Sequence, residues 1–231
     1  MRSNSWTDGQ RQSAMTVTEA ARRAQILAHT IDVVAELGYA GASLNRIAAH
    51  AGISKGLISY HFAGKADLLE ALVHDVFARG GEYVMERHGH VFGPDGTAGA
   101  ALRAYLEGNL AFIAEHPRDV GAVVEIARNH RGADGALVFG AAWEETLLDL
   151  LAQIFTAGQE AGEFRAFDPR VMAIAVRRVI DGFTFQVMAD PDLDTRSFTT
   201  EVTALFDHAT RHPGAERLET DTTTAQETEP S

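Results

Sequence analysis

An all-α fold is predicted by three features of the sequence. Apolar residues recur at spacings of three and four through every long segment, the period of a helix that buries one face. No run of four to eight residues alternates apolar and polar side chains as a half-buried strand would. The prolines Pro94, Pro117, Pro169, Pro191, Pro213 and Pro230 fall at the ends of the periodic segments, between them or beyond them, where a missing N–H costs little. About nine helices are expected. Three N-terminal ones form a helix-turn-helix domain over residues 18–64, and the rest form a larger helical domain over residues 65–212.

Residues 18–37 make the first helix, with Ile26, Leu27, Ile31, Val34 and Leu37 on one stripe and Gly38 as its stop. Residues 43–62, SLNRIAAHAGISKGLISYHF, read as two short helices around a break at Gly52. Ser43 and Ser54 are placed to cap them, each offering a side-chain oxygen to first-turn N–H groups that lack a helical partner. Leu44, Ile47 and Ala48 share one face of the first helix, and Ile58 and Phe62 one face of the second, so the pair packs across Ile53. Lys55, Gly56, Leu57, Ser59, Tyr60 and His61 are left mostly outward. A long helix from Lys65 to about Arg87 follows, with Leu68, Leu69, Leu72, Val73, Val76, Phe77, Tyr83 and Val84 at core spacing. Five more segments, about 98–115, 117–131, 136–162, 169–189 and 194–211, are separated by prolines and by Gly132 and Gly135.

The ends read differently. Residues 1–17 lack the apolar core of a secretion signal and are expected to be a disordered leader. Residues 213–231 carry five acidic residues, one basic residue and almost no large apolar side chain, so burial cannot offset their ordering entropy and a disordered acidic tail is expected.

At 231 residues and 45% apolar composition the chain can bury a substantial core. It has no run of about 18 apolar residues, so no segment is expected to span a membrane. The absence of cysteine excludes disulfides and thiolate metal sites and fits a cytoplasmic protein. The formal charge of −12 argues against a nucleic-acid partner until it is divided by region. Residues 1–65 hold seven Lys or Arg against four Asp or Glu, a net of +3, and the remainder holds 13 against 28, a net of −15. Attraction to a polyanion is thus confined to one end of the chain.

The second short helix of the pair, with small, aromatic and basic residues facing out, has the form that enters a DNA major groove. Residues 22–73, with AGISKGLISYHFAGKADLLEALV at their centre, resemble the DNA-binding region of the TetR family of transcriptional repressors. The succession Gly38, Ser43, Gly52, Lys55, Gly56, Tyr60, Phe62, Lys65 carries that likeness over about a quarter of the chain. Many members have Thr or Asn where Leu57 stands and Tyr where Ser59 stands, and the Ile58–Ser59 pair is similar to the BetI-like branch. Within this surface Leu57 and Ser59 are suited to base edges and thymine methyls, and Ser43, Lys55, Tyr60, His61 and Lys65 to phosphates. Arg46, Ser54 and Gly56 complete the candidate DNA-binding set.

The resemblance implies a homodimer, joined through the last two helices as a four-helix interface, and a small-molecule effector site in the C-terminal region. The sequence itself shows surplus apolar surface on those helices, with Val176, Val179, Phe183, Val187, Val202, Leu205 and Phe206 as candidate interface residues and burial within the protomer as the alternative. Polar residues interrupting apolar stripes suggest a pocket: Asn109 near Tyr105, Glu125 and Arg128 on the next helix, and Trp143, Phe183 and Gln186 beyond. A buried polar group needs a partner, whether a ligand or another side chain. His88 and His90 lack a nearby third ligand, so no metal site is expected there. Glu144 and Glu145, splayed about 100° apart on a helix, cannot act as an acid–base pair. The glycine clusters 93–96 and 132–135 read as turns, and no cofactor motif or catalytic constellation occurs. The function expected is that of a DNA-binding repressor released by an effector. A regulator without an effector, or a helical enzyme with a vestigial helix-turn-helix, are the alternatives.

Overall fold

The helical period is realised, in a computed structural model that describes residues 17–93 and 95–212, as nine α-helices and no β-sheet among those residues. They are α1 (Val17–Gly41), α2 (Leu44–Ala51), α3 (Lys55–His61), α4 (Lys65–His88), α5 (Ala98–Glu115), α6 (Pro117–Asn129), α7 (Ala141–Glu160), α8 (Pro169–Ala189) and α9 (Thr195–Thr210), with a 3₁₀ turn at Gly89–Phe92 after α4. The expected leader, apart from Val17, and the expected acidic tail lie outside the described residues.

The chain divides into two compact units, and compactness draws the line elsewhere than after residue 64. The first comprises Met1–Val76 with Gly121–Leu137, and the second Phe77–Val120 with Val138–Ser231. The first half of α4 therefore belongs with the N-terminal helices, where Leu68, Leu69, Leu72 and Val73 are fully buried. Most of α6 joins them through a polar network centred on Tyr39. The regular part of α1 ends at Gly38, whose φ of 68° and ψ of 174° turn the chain. Just past that turn the Tyr39 N–H donates to Glu125 Oε1 at 2.9 Å, and the Tyr39 hydroxyl meets His130 Nδ1 at 3.0 Å. His130 Nε2 lies 3.0 Å from Glu70 Oε1. His130 is buried, so these partners replace the water it has lost.

In the second unit α5, α7, α8 and α9 enclose a core that includes Leu102, Leu106, Leu110, Leu151, Phe155, Val176, Ile180 and Phe183. Thr97, Asp168 and Asp194 cap α5, α8 and α9 with side-chain oxygens. The Glu163 carboxylate adds to the first of these, accepting from Ala98 N at 3.1 Å and Gly99 N at 3.0 Å. Gly158 lets α7 come close to its neighbours, since a Cβ there would collide with the Phe164 ring and lie 2.8 Å from Ala98 Cβ. The start of α7 falls later than residue 136, because the chain turns at Gly132–Ala136, where Gly132 N donates to Ala136 O at 2.9 Å. Glu144 and Glu145 are ion-paired across α7 and α8 with Arg178 and Arg170 respectively.

The candidate interface residues separate into three groups. Val176, Phe183, Val202 and Phe206 face the protomer's own core, at 0%, 0%, 8% and 5% exposure, and are not available to a partner. Val179 and Val187 are half-buried against the same core. Leu205 alone of the seven is exposed. The apolar surface left open on these helices is instead Val171, Ile174, Phe185 and Met188 on α8 with Leu205 on α9. The four α8 positions form one stripe at helical spacing, opposite the buried one.

Candidate nucleic-acid interface

Local chemistry builds the α2–α3 pair. Ser43 Oγ accepts from Arg46 N at 3.3 Å and Ser54 Oγ from Leu57 N at 3.1 Å, so both expected caps form. Gly52 closes α2 in the left-handed region, with φ 64° and ψ 30°, and Ile53 N reaches back to Ala48 O at 3.0 Å. Ile47 and Ile58 are fully buried and Ala48 and Phe62 nearly so, which seats both helices by their inner faces. Arg23, which the sequence did not single out, fastens the far end of α3 to α1. Its Nη1 donates to His61 O at 2.5 Å and its guanidinium lies 4.2 Å over the Phe62 ring.

With its inner face fixed, α3 presents Lys55, Gly56, Ser59 and Tyr60 to solvent, and leaves Leu57 and His61 half-buried. Tyr60 is 72% exposed, an unusual state for so large an apolar ring, and meets His61 edge-on at 5.0 Å. Gly56 is not required by the protein's own packing, since a Cβ there would touch only Ser54 Oγ at 3.8 Å. A glycine inside a helix costs roughly 1 kcal/mol relative to alanine, and its use here suits a surface that another backbone approaches closely. Arg46 is exposed on α2 and holds Gly41 O at 3.0 Å through Nη1.

Lys65 is placed differently from a free phosphate ligand. Its Nζ donates to Tyr39 O at 2.6 Å and lies 4.4 Å from the Tyr39 ring centroid, and burial draws its pKa below the usual lysine value. Tyr39 thus has its N–H, carbonyl, hydroxyl and ring all engaged within the first unit. Lys65→Ala is expected to strip the partner from the Tyr39 carbonyl and lower stability by about 1–3 kcal/mol. Urea unfolding of the variant checks this, and unchanged stability would mean that the contact contributes nothing.

The candidate ligand residues fall in both units. Tyr105 and Phe183 share the apolar core of the second unit, where Phe183 stacks on Phe198 at 4.6 Å. Asn109 donates to Tyr105 O at 2.7 Å, the carbonyl one turn earlier in its own helix. Trp143 is half-buried between the Phe77 and Phe139 rings, and Gln186 is exposed. Glu125 and Arg128 belong to the first unit, where Glu125 is used by Tyr39 and Arg128 is exposed. For Asn109 and Glu125 the partner is therefore inside the protein.

Comparison with known proteins agrees with this geometry. The profile of the bacterial regulatory proteins, tetR family, matches residues 26–72, which hold the end of α1, both short helices and the start of α4. Over that stretch the chain resembles the TetR family. The HTH-type transcriptional regulator BetI of Klebsiella pneumoniae (strain 342) is 39% identical over 88 residues, 38% of this chain and 44% of that protein. BetI 2 of Chromohalobacter salexigens is 38% identical over 91 residues, 39% of this chain and 43% of that protein. The chain thus spans less than half the length of these curated relatives. The fold extends further. A putative TetR-family regulator from a Rhodococcus species has a TM-score of 0.66 at 24% identity, over 81% of this chain and 97% of its own. AibR, solved in complex with isovaleryl coenzyme A and operator DNA, has a TM-score of 0.64 at 21% identity, over 80% and 97%.

Proposed function

We propose that the chain is a homodimeric, sequence-specific DNA-binding transcriptional regulator of the cytoplasm, a repressor released from its operator by a small-molecule effector, and not an enzyme. The observation that carries the DNA reading is the outer face of α3: a short helix capped by Ser54, clamped at its far end by Arg23, and offering Lys55, Gly56, Ser59 and Tyr60 to solvent. Lys55, Tyr60, His61, Ser43 and Arg46 lie toward phosphates, with Ser54 and Gly56 admitting the backbone, while Leu57 and Ser59 reach base edges. Lys65 serves the fold first and adds to the positive end of the domain. The net of +3 over residues 1–65 supports the same assignment.

Dimerisation is assigned to the exposed stripe Val171, Ile174, Phe185 and Met188 with Leu205. The effector site is assigned to the second unit. The fold shared with AibR, which was solved in complex with both isovaleryl coenzyme A and operator DNA, supports a small-molecule effector without indicating its place or its chemistry. A ligand can release DNA only by preferring one of two states, and a hundredfold release needs about 2.7 kcal/mol of coupling.

Phosphate and base contacts separate under salt. Lys55→Ala removes one phosphate contact per subunit, so log affinity against log salt should flatten by about two units for the dimer, at roughly 0.9 per neutralised phosphate. Leu57→Ala and Ser59→Ala should change which sequences are preferred, by about 1–3 kcal/mol per lost base contact, with the slope kept. Titrations on selected and random duplexes across several salt concentrations test this. A Leu57 variant that loses salt dependence, or a Lys55 variant that alters sequence preference at constant slope, would contradict the orientation given to α3.

A further inference from the structure

We propose that His29, Asp32 and His50 form a site for a divalent transition-metal ion of the zinc type, joining α1 to α2 within the DNA-binding unit. His29 and Asp32 stand three residues apart on α1 and so share a face, and His50 lies in the last turn of α2. One ligand atom from each of the three lies within 4.8 Å of the other two. Ligands held at about 2.0–2.2 Å by a tetrahedral ion stand about 3.4 Å from one another, so small rotations of the side chains close the site. His50 is exposed and free to make such a rotation, and it leaves an open side for water as a fourth ligand.

A second observation points to a ligand. His29 Nδ1 is buried and has no hydrogen-bond partner, a costly state for an imidazole nitrogen in a fold where His130 has both nitrogens engaged. The rings of His29 and His50 are 5.3 Å apart at 69°, which brings the two imidazoles together at the α1–α2 junction. Two imidazoles and one carboxylate suit Zn²⁺, Co²⁺ or Ni²⁺, whereas Mg²⁺ and Ca²⁺ take oxygen ligands. The sequence hides the set, because His29 and Asp32 alone are two ligands and His50 comes from a different helix. An ion here would pin α2, and with it the Gly52 turn leading into α3, to α1.

The test uses the full chain, untagged and stripped with chelator, titrated with Co²⁺ while its visible d–d bands are recorded, followed by displacement with Zn²⁺ and thermal unfolding with and without Zn²⁺. One Co²⁺ per chain is expected, with a rise in unfolding temperature on Zn²⁺ addition. His50→Ala and Asp32→Asn should each weaken Co²⁺ binding at least tenfold, and neither substitution lies in the core. A His88→Ala/His90→Ala double variant should bind as the parent does. Absence of Co²⁺ binding by the parent, binding retained by both His50→Ala and Asp32→Asn, or binding lost with His88 and His90 would each overturn the assignment.

Discussion

Leu205→Asp combined with Met188→Asp is expected to leave a folded protomer that no longer pairs and that binds operator at least a hundredfold more weakly. Both side chains are exposed in the protomer, at 58% and 50%, so aspartate is tolerated there in the free chain. In a dimer built on this face each aspartate would be a buried charge without a partner, a strongly destabilising arrangement. Losing the dimer turns one bivalent binding event into separate half-site events, and the avidity at stake is about 10²–10⁴. Phe206→Asp makes the contrasting case. Phe206 is 5% exposed inside the protomer, so its replacement should unfold the second unit rather than yield monomers. Light scattering separates the outcomes: monomer mass with native helicity supports the exposed face, and an unchanged dimer for the double variant contradicts it.

His130→Ala is expected to lower the stability of the first unit by about 2–4 kcal/mol, because it opens a cavity and takes the partner from the Tyr39 hydroxyl. The imidazole is 4% exposed and stands between the Tyr39 hydroxyl and Glu70. His130→Phe restores volume without the hydrogen bonds and should recover only part of the loss, so the pair of variants divides packing from polarity. Both are measured by urea denaturation monitored by far-ultraviolet circular dichroism. A variant as stable as the parent would mean that α6 is held to the N-terminal helices by other contacts.

These two cases also mark what sequence can disclose. The α2–α3 pair was legible because it is made locally. Two serine caps, a left-handed Gly52 and the inward Ile47, Ile58 and Phe62 all lie within 20 residues, and each does what its chemistry predicts. The stripes of α8 were legible as apolar but not as to which face meets what. Val176 and Phe183 are as apolar as Ile174 and Phe185, and only the packing of α5 and α7 against α8 decides that the former are covered. Polar residues misled for a related reason. Glu125 reads as a pocket residue from its apolar surroundings, yet its partner is the Tyr39 N–H, 86 positions earlier. Lys65 reads as a phosphate ligand from its place at a helix start, yet its ammonium is drawn to a carbonyl and a ring on α1. Long-range partners of this kind follow from tertiary packing, and no periodicity announces them.

Selection from a pool of random duplexes by the full-length protein tests the central claim most directly. The account predicts enrichment of a two-fold related sequence whose half-sites lie one helical turn, about 34–36 Å, or a multiple of it apart. It further predicts that Leu57→Ala or Ser59→Ala changes the enriched bases without abolishing retention. Recovery of the random pool without enrichment, or an enriched sequence indifferent to both substitutions, would contradict the assignment of α3 as the element that reads DNA.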